Sequence, residues 1–131
     1  YNTEKVKPVS SIKDAHASGW VSALGGIYNT DMVVSGAMDD QLHFHRVNLD
    51  QRTIEKAFSI RCVILIVIKE GIINDIQFNR EGTMMAVVTG GEQRMGRWVT
   101  QKVKSHIKLF QMIKSDSQNS EIRPTLKKVK F

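Results

Sequence analysis

Apolar and polar residues along this chain alternate in short bursts, and turn-forming residues rather than long spacers separate the bursts. The stretch 20–24 (Trp20, Val21, Ser22, Ala23, Leu24) runs into Gly25 and Gly26, after which Asn29, Thr30 and Asp31 supply turn chemistry. Asn and Asp favour such positions because their side chains bond the backbone of the turn itself. Next comes an apolar run of strand type at 32–36, and Asp39 and Asp40 mark another turn. The period-two segment 42–47 follows, then the turn residues Asn48, Leu49 and Asp50, then a strand pattern at 54–60. Four short strand patterns with tight connections predict an antiparallel meander.

The same order then recurs. Strand patterns at 72–78 and 84–88 flank the turn residues Asn79, Arg80, Glu81 and Gly82, and Gly90 and Gly91 end the second. Segments 97–100 and 106–112 read as the third and fourth strands of this set. Val21 and its counterpart Ile73 lie 52 positions apart. That exceeds the ~40–45 residues of a typical WD-repeat blade, and loop insertions lengthen such repeats. The excess lies at 61–70, where the apolar run 63–68 extends past the fourth strand. It reads either as a buried strand extension or as an exposed edge that binds a partner.

Composition narrows the functional classes. With 131 residues, 41% hydrophobic and 24% charged, the chain has a globular make-up and the length of one domain. Aromatics are only 7%, so Val, Ile, Leu and Met must build the core. No apolar stretch approaches the ~18 residues of a membrane span, and no signal peptide is visible, so no membrane partner is expected. Cys62 stands alone, which excludes an internal disulfide and a Cys-type zinc site and makes a reducing compartment the default. The net charge of +6 is one-sided. Residues 1–70 hold eight basic and eight acidic side chains, whereas 71–131 hold eleven and five. A one-sided positive field attracts polyanions, nucleic acid first among them.

Two four-stranded meanders at this spacing resemble two β-propeller blades. In a WD repeat an Asp between the second and third strands holds a His that precedes the first strand. A Ser or Thr on the second strand and a Trp on the third complete the hydrogen-bonded set. The candidate structural set here is His16, Ser35 and Asp39, with His45 standing where the Trp would be. A buried carboxylate is costly without several donors, so the Asp and His are useful only together. The resemblance implies an all-β WD-repeat propeller fragment: two four-stranded antiparallel blades plus an outer strand of a preceding blade. Its expected boundaries are 1–14 for that outer strand, 15–70 for one blade, 71–112 for the last blade and 113–131 for a basic flexible tail.

The second blade carries Trp98 but Val99 instead of Asp, and no His before its first strand. It has instead the tract Gly90, Gly91, Glu92, Gln93, Arg94, Met95, Gly96, Arg97, Trp98, preceded by Ile73, Asn74, Ile76, Phe78 and Gly82. Together these resemble the last blade of the WD-repeat protein of the U3 small nucleolar ribonucleoprotein. Trp20, Val21, Ala23, Leu24, Asn29, Thr30, Asp31, Val33 and Gly36 resemble the blade before it. The resemblance implies a non-enzymatic binding module in pre-ribosomal RNA processing, located in the nucleus and nucleolus. It further implies U3 snoRNA and snoRNP proteins as partners, with a small kink-turn-binding protein docking first. That family's propeller has about seven blades, and a closed propeller needs at least ~4. The absence of an initiator Met, together with that shortage, points to a C-terminal piece of a longer protein. Blade faces left without neighbours predict that copies self-associate.

Candidate RNA- or partner-binding residues are Arg94, Arg97, Lys102 and Lys104. The two arginines sit in and after a glycine-rich loop, where a guanidinium fork can grip phosphate or carboxylate. Their alternative role is to cap the loop's own carbonyls or pair with Glu92. Lys102 and Lys104 contact phosphate only if the fold aligns them with the arginines. Lys127, Lys128 and Lys130 read as an import signal, an RNA tether or simple solubility. His43 and His45 share one strand face, but spacing supplies no third ligand, so packing is the expected role and no metal or cofactor is expected. Trp20 and Trp98 read as core, and His106 as surface. There is no P-loop, nucleophile elbow, zincin motif or dinucleotide fingerprint, so no enzyme is expected. The competing reading is a generic WD-repeat scaffold that grips proteins without RNA contact.

Overall fold

The computed structural model describes residues 8–17, 20–61, 71–94, 96, 99–114 and 122–125. Eight strands follow one another with no helix among the described residues: β1 (Ala23–Gly26), β2 (Met32–Gly36), β3 (Gln41–Asn48), β4 (Thr53–Arg61), β5 (Ile72–Phe78), β6 (Met84–Gly90), β7 (His106–Lys114) and β8 (Ile122–Thr125). They form two four-stranded antiparallel sheets, in the orders β1-β2-β3-β4 and β5-β6-β7-β8. Each sheet is a meander of WD-blade type.

Local chemistry sets each turn. Asn29, Asp40 and Arg52 take left-handed backbone angles of 56°, 57° and 55° at the three hairpin ends of the first sheet. The Asp39 carboxylate accepts from Gln41 N at 3.3 Å, and Asn48 Oδ1 accepts from Gln51 N at 2.9 Å. In the second sheet Asn79 Oδ1 accepts from Met84 N at 2.8 Å, which closes the β5–β6 hairpin.

Between the sheets lies one core, made of Ala23, Met32, Val34, Leu42 and Phe44 from the first and Ile73, Ile76, Met85, Val87, Phe110 and Met112 from the second. Phe44 stacks on Phe58 with centroids 4.4 Å apart. Two glycines let β5 lie this close. A Cβ on Gly36 would sit 2.6 Å from Ile73 Cγ2, and one on Gly25 2.9 Å from the Ile76 carbonyl oxygen. Two polar ties cross the same seam: Ile73 N donates to Ala37 O at 3.1 Å, and Ser22 Oγ donates to Ile73 O at 2.6 Å.

The strand assignment of the second sheet differs from the sequence expectation. Its third strand is β7, which the sequence pattern places fourth, and its fourth is β8, inside the segment expected to be a flexible tail. Val99 and Thr100 belong to no strand. The physical reason is twofold. Gln101 N donates to Gly91 O at 2.7 Å, which turns the chain back into a closed loop before it can run along β6. β7 then presents Phe110 directly opposite Met85, both fully buried. Residues 8–14 form no strand; an outer strand there would need an earlier blade to pair with. The apolar run 63–68, Arg97, Trp98 and the basic cluster 127–130 lie outside the described residues.

Candidate functional site

Strand alternation puts Val34 and Gly36 against the second sheet and turns Ser35, His43 and His45 to the opposite face. There the loop before β1 delivers His16 into contact with them. His16 Nδ1 lies 3.0 and 2.9 Å from the two oxygens of Asp39, and His16 Nε2 lies 2.8 Å from Ser35 Oγ. Ser35 Oγ is also 2.8 Å from His45 Nε2. The structure therefore brings His16, Ser35 and Asp39 together and adds His45.

Proton positions follow from the partners. The carboxylate can only accept, so His16 donates through Nδ1 and accepts at Nε2 from the Ser35 hydroxyl; Ser35 in turn accepts from His45 Nε2–H. His45 thus supplies a single ring N–H, as an indole would in its place. Its Nδ1 is left buried with no partner, and so are both ring nitrogens of His43. Protonating either ring would add a charge where water cannot reach it. Burial, then the neighbouring His16 and Lys56, hold His43 down at about 4 and shift His45 in the same direction. Both rings are neutral at neutral pH.

Asp39, His16 and Ser35 share the connectivity of a hydrolase triad. Ser35 is only 3% exposed and its hydroxyl is held between two imidazoles, so a substrate carbonyl cannot approach it. This chain of bonds clamps the loop before β1 onto β2 and β3.

A second feature opens at one end of the seam between the sheets. It is a cleft of about 510 Å³, lined by Trp20, Val21 and Leu24 on one side and by Asn74, Asp75 and Arg94 on the other. Irregular pairing at Asn74 interrupts the β5–β6 register, and the freed side chain donates to Glu92 O at 2.8 Å, pinning the glycine-rich loop to β5. Arg94 rides on that pinned loop and is exposed. Lys102 and Lys104 are exposed on the connection leading to β7, outside the cleft lining. Arg97 lies outside the described residues. Trp20, expected in the core, is 47% exposed and forms part of the cleft wall. The signal in the sequence was its position: it precedes β1, beyond the reach of the buried alternation of Ala23, Gly25 and Ile27.

No family model matches the chain. Among curated proteins it is similar to the U3 snoRNP-associated protein-like YAOH of Oryza sativa subsp. japonica, 28% identical over 82 residues, which is 63% of this chain and 15% of that protein. It is also similar to U3 small nucleolar RNA-interacting protein 2 of Mus musculus, 24% identical over 107 residues, 75% of this chain and 21% of that protein. The chain therefore spans about a fifth or less of the length of these relatives. Among solved structures, U3-55K aligns with a TM-score of 0.57 at 25% identity, covering 67% of this chain and 25% of that one. The RRP9 WD40 repeats align with a TM-score of 0.64 at 22% identity, covering 79% and 32%. The fold is that of WD40 propeller blades, and the chain resembles WD-repeat proteins of the U3 snoRNP.

Proposed function

We propose that this chain is a non-enzymatic binding segment of a U3 snoRNP-type WD-repeat protein, acting with U3 snoRNA and snoRNP proteins in pre-ribosomal RNA processing in the nucleolus. The observation that carries this reading is the cleft lined by both Trp20 and the exposed Arg94, in a chain similar to proteins with U3 names. A guanidinium and an indole together suit a phosphate beside an unpaired base. Arg97, Lys102 and Lys104 add sequence-independent attraction, since the basic excess lies entirely in 71–131. The blades extend over 15–70 and from 71 through β8, so the last blade ends later than hydrophobic patterning suggests. Exposed Leu24 and Ile107 mark faces through which copies of the isolated segment associate.

A salt series tests the RNA role. Attachment through Z phosphates gives a log–log slope near −0.7Z on single-stranded RNA. Replacing Arg94 and Arg97 with Ala is expected to reduce that slope by about 1.4 and weaken binding with the fold unchanged. Absence of RNA retention at low salt would instead assign the chain to protein-only scaffolding.

A further inference from the structure

We propose that His16, Asp39 and His43 form a binding site for a divalent transition-metal ion of the zinc class. His43 is 5% exposed, and neither of its ring nitrogens has a hydrogen-bond partner. A buried polar group of this kind is costly wherever it is left unsatisfied. Its Nε2 faces Asp39 Oδ2 at 3.8 Å, and its ring lies against that of His16 with centroids 4.1 Å apart. One ligand atom from each of the three residues can be chosen so that all lie within 4.8 Å of one another.

The 3.8 Å gap is informative. It is too long for a hydrogen bond, whose limit is about 3.2 Å, and too short for an intervening water bonded to both sides. Two donors each ~2.0–2.1 Å from a shared tetrahedral ion stand about 3.3 Å apart. Closing the gap by roughly half an ångström therefore brings His43 Nε2 and Asp39 onto a common ion. The third ligand, His16 Nδ1, already touches the same carboxylate.

The surroundings supply what a ligating histidine needs on its far side. With an ion at Nδ1, His16 carries its proton on Nε2 and donates to Ser35 Oγ, which then donates to His45 Nε2. The relay reverses direction with the same number of protons, His45 ending as the Nδ1–H form. Two imidazoles and one carboxylate favour zinc over calcium or magnesium, which select oxygen ligands. The fourth position falls to a water on the side where the Asp39 side chain, 9% exposed, meets solvent.

The test titrates Zn2+ into the full 131-residue chain without a histidine tag, by calorimetry, and Co2+ by its visible absorption. One ion per chain is expected, with affinity lowered at least ~100-fold in His43→Gln and about 10–100-fold in Ser35→Ala. His106→Ala, which changes an exposed histidine, should bind as the unaltered chain does. Imidazole nitrogen NMR of the unaltered chain gives a readout independent of how the variants fold: Zn2+ should move the His16 proton from Nδ1 to Nε2. No uptake of metal, equal affinity in a folded His43→Gln, or an unchanged His16 tautomer at saturating Zn2+ would each overturn the proposal.

Discussion

The two sheets share strand order and connection pattern, yet matching positions hold them in different ways. In the first, Ser35 lies one residue before Gly36, and His45 stands across from Val33. Bonds from Asp39 through His16 and Ser35 to His45 link a loop and two strands. In the second, Thr89 precedes Gly90 in the same way, and Lys108 stands across from Val87. Thr89 is buried, but its hydroxyl has no partner. Ile76, Met85, Val87 and Phe110 pack into the core shared with the first sheet, and the Asn74 tether is the second sheet's own polar tie. One topology thus stands with or without a polar clamp above the apolar seam that both blades share, and the loop before the first strand decides whether the clamp is available. Only the first blade has a histidine there.

Four changes would break or sharpen that contrast. Asp39→Ala leaves His16 buried without its acceptor, and equilibrium denaturation should show a loss of about 3 kcal/mol or more. Gly36→Ala inserts a methyl where Ile73 Cγ2 already stands. A loss of about 1–3 kcal/mol is expected from overpacking at the seam common to both blades.

Acid acts next, through the clamped blade. In the folded, metal-free chain His43 titrates near 4 instead of 6.5. Between those values the unfolded chain binds a proton that the folded one does not, so stability is fully present above pH 6.5 and falls as the pH is lowered toward 4. His43→Leu should flatten that part of the stability–pH curve. The smallest effect is expected for Thr89→Val, which removes a hydroxyl that bonds to nothing. Its denaturation midpoint should stay within about 0.5 kcal/mol of the unaltered chain or rise slightly. A large loss there would mean the second blade has its own polar clamp.

Much of this architecture was legible in the residues because it is local. The turns at Thr30, Asp39–Asp40, Asn48 and Asn79 follow from side chains bonding their own backbone, and β2 to β4 follow from the patterns between those turns. By contrast, β1 starts three residues later than the pattern suggests and includes Gly25 and Gly26. The third and fourth strands of the second sheet were not legible. A strand-like stretch with a Trp marker at 97–100 competes with 106–114 for the edge of β6, and only burial of Phe110 against Met85 chooses between them. Trp20 was misplaced for a similar reason, since a large apolar ring reads as core until its neighbours are known.

Sequence alone determined the strand periodicity, the turn positions, the one-sided charge and the residue types available for a blade clamp, all of which depend on near neighbours in the chain. Tertiary structure decided which distant groups meet. His43 and His45 are two apart and share a face, which suggested a pair lacking a third ligand. Folding instead carries His16 across 27 positions to lie on His43, and places Asp39 against both. Likewise the cleft joins Trp20 to Arg94 across 74 positions. Spacing along a chain cannot encode such encounters, because they depend on how two sheets pack, and that packing is a sum over the whole buried seam.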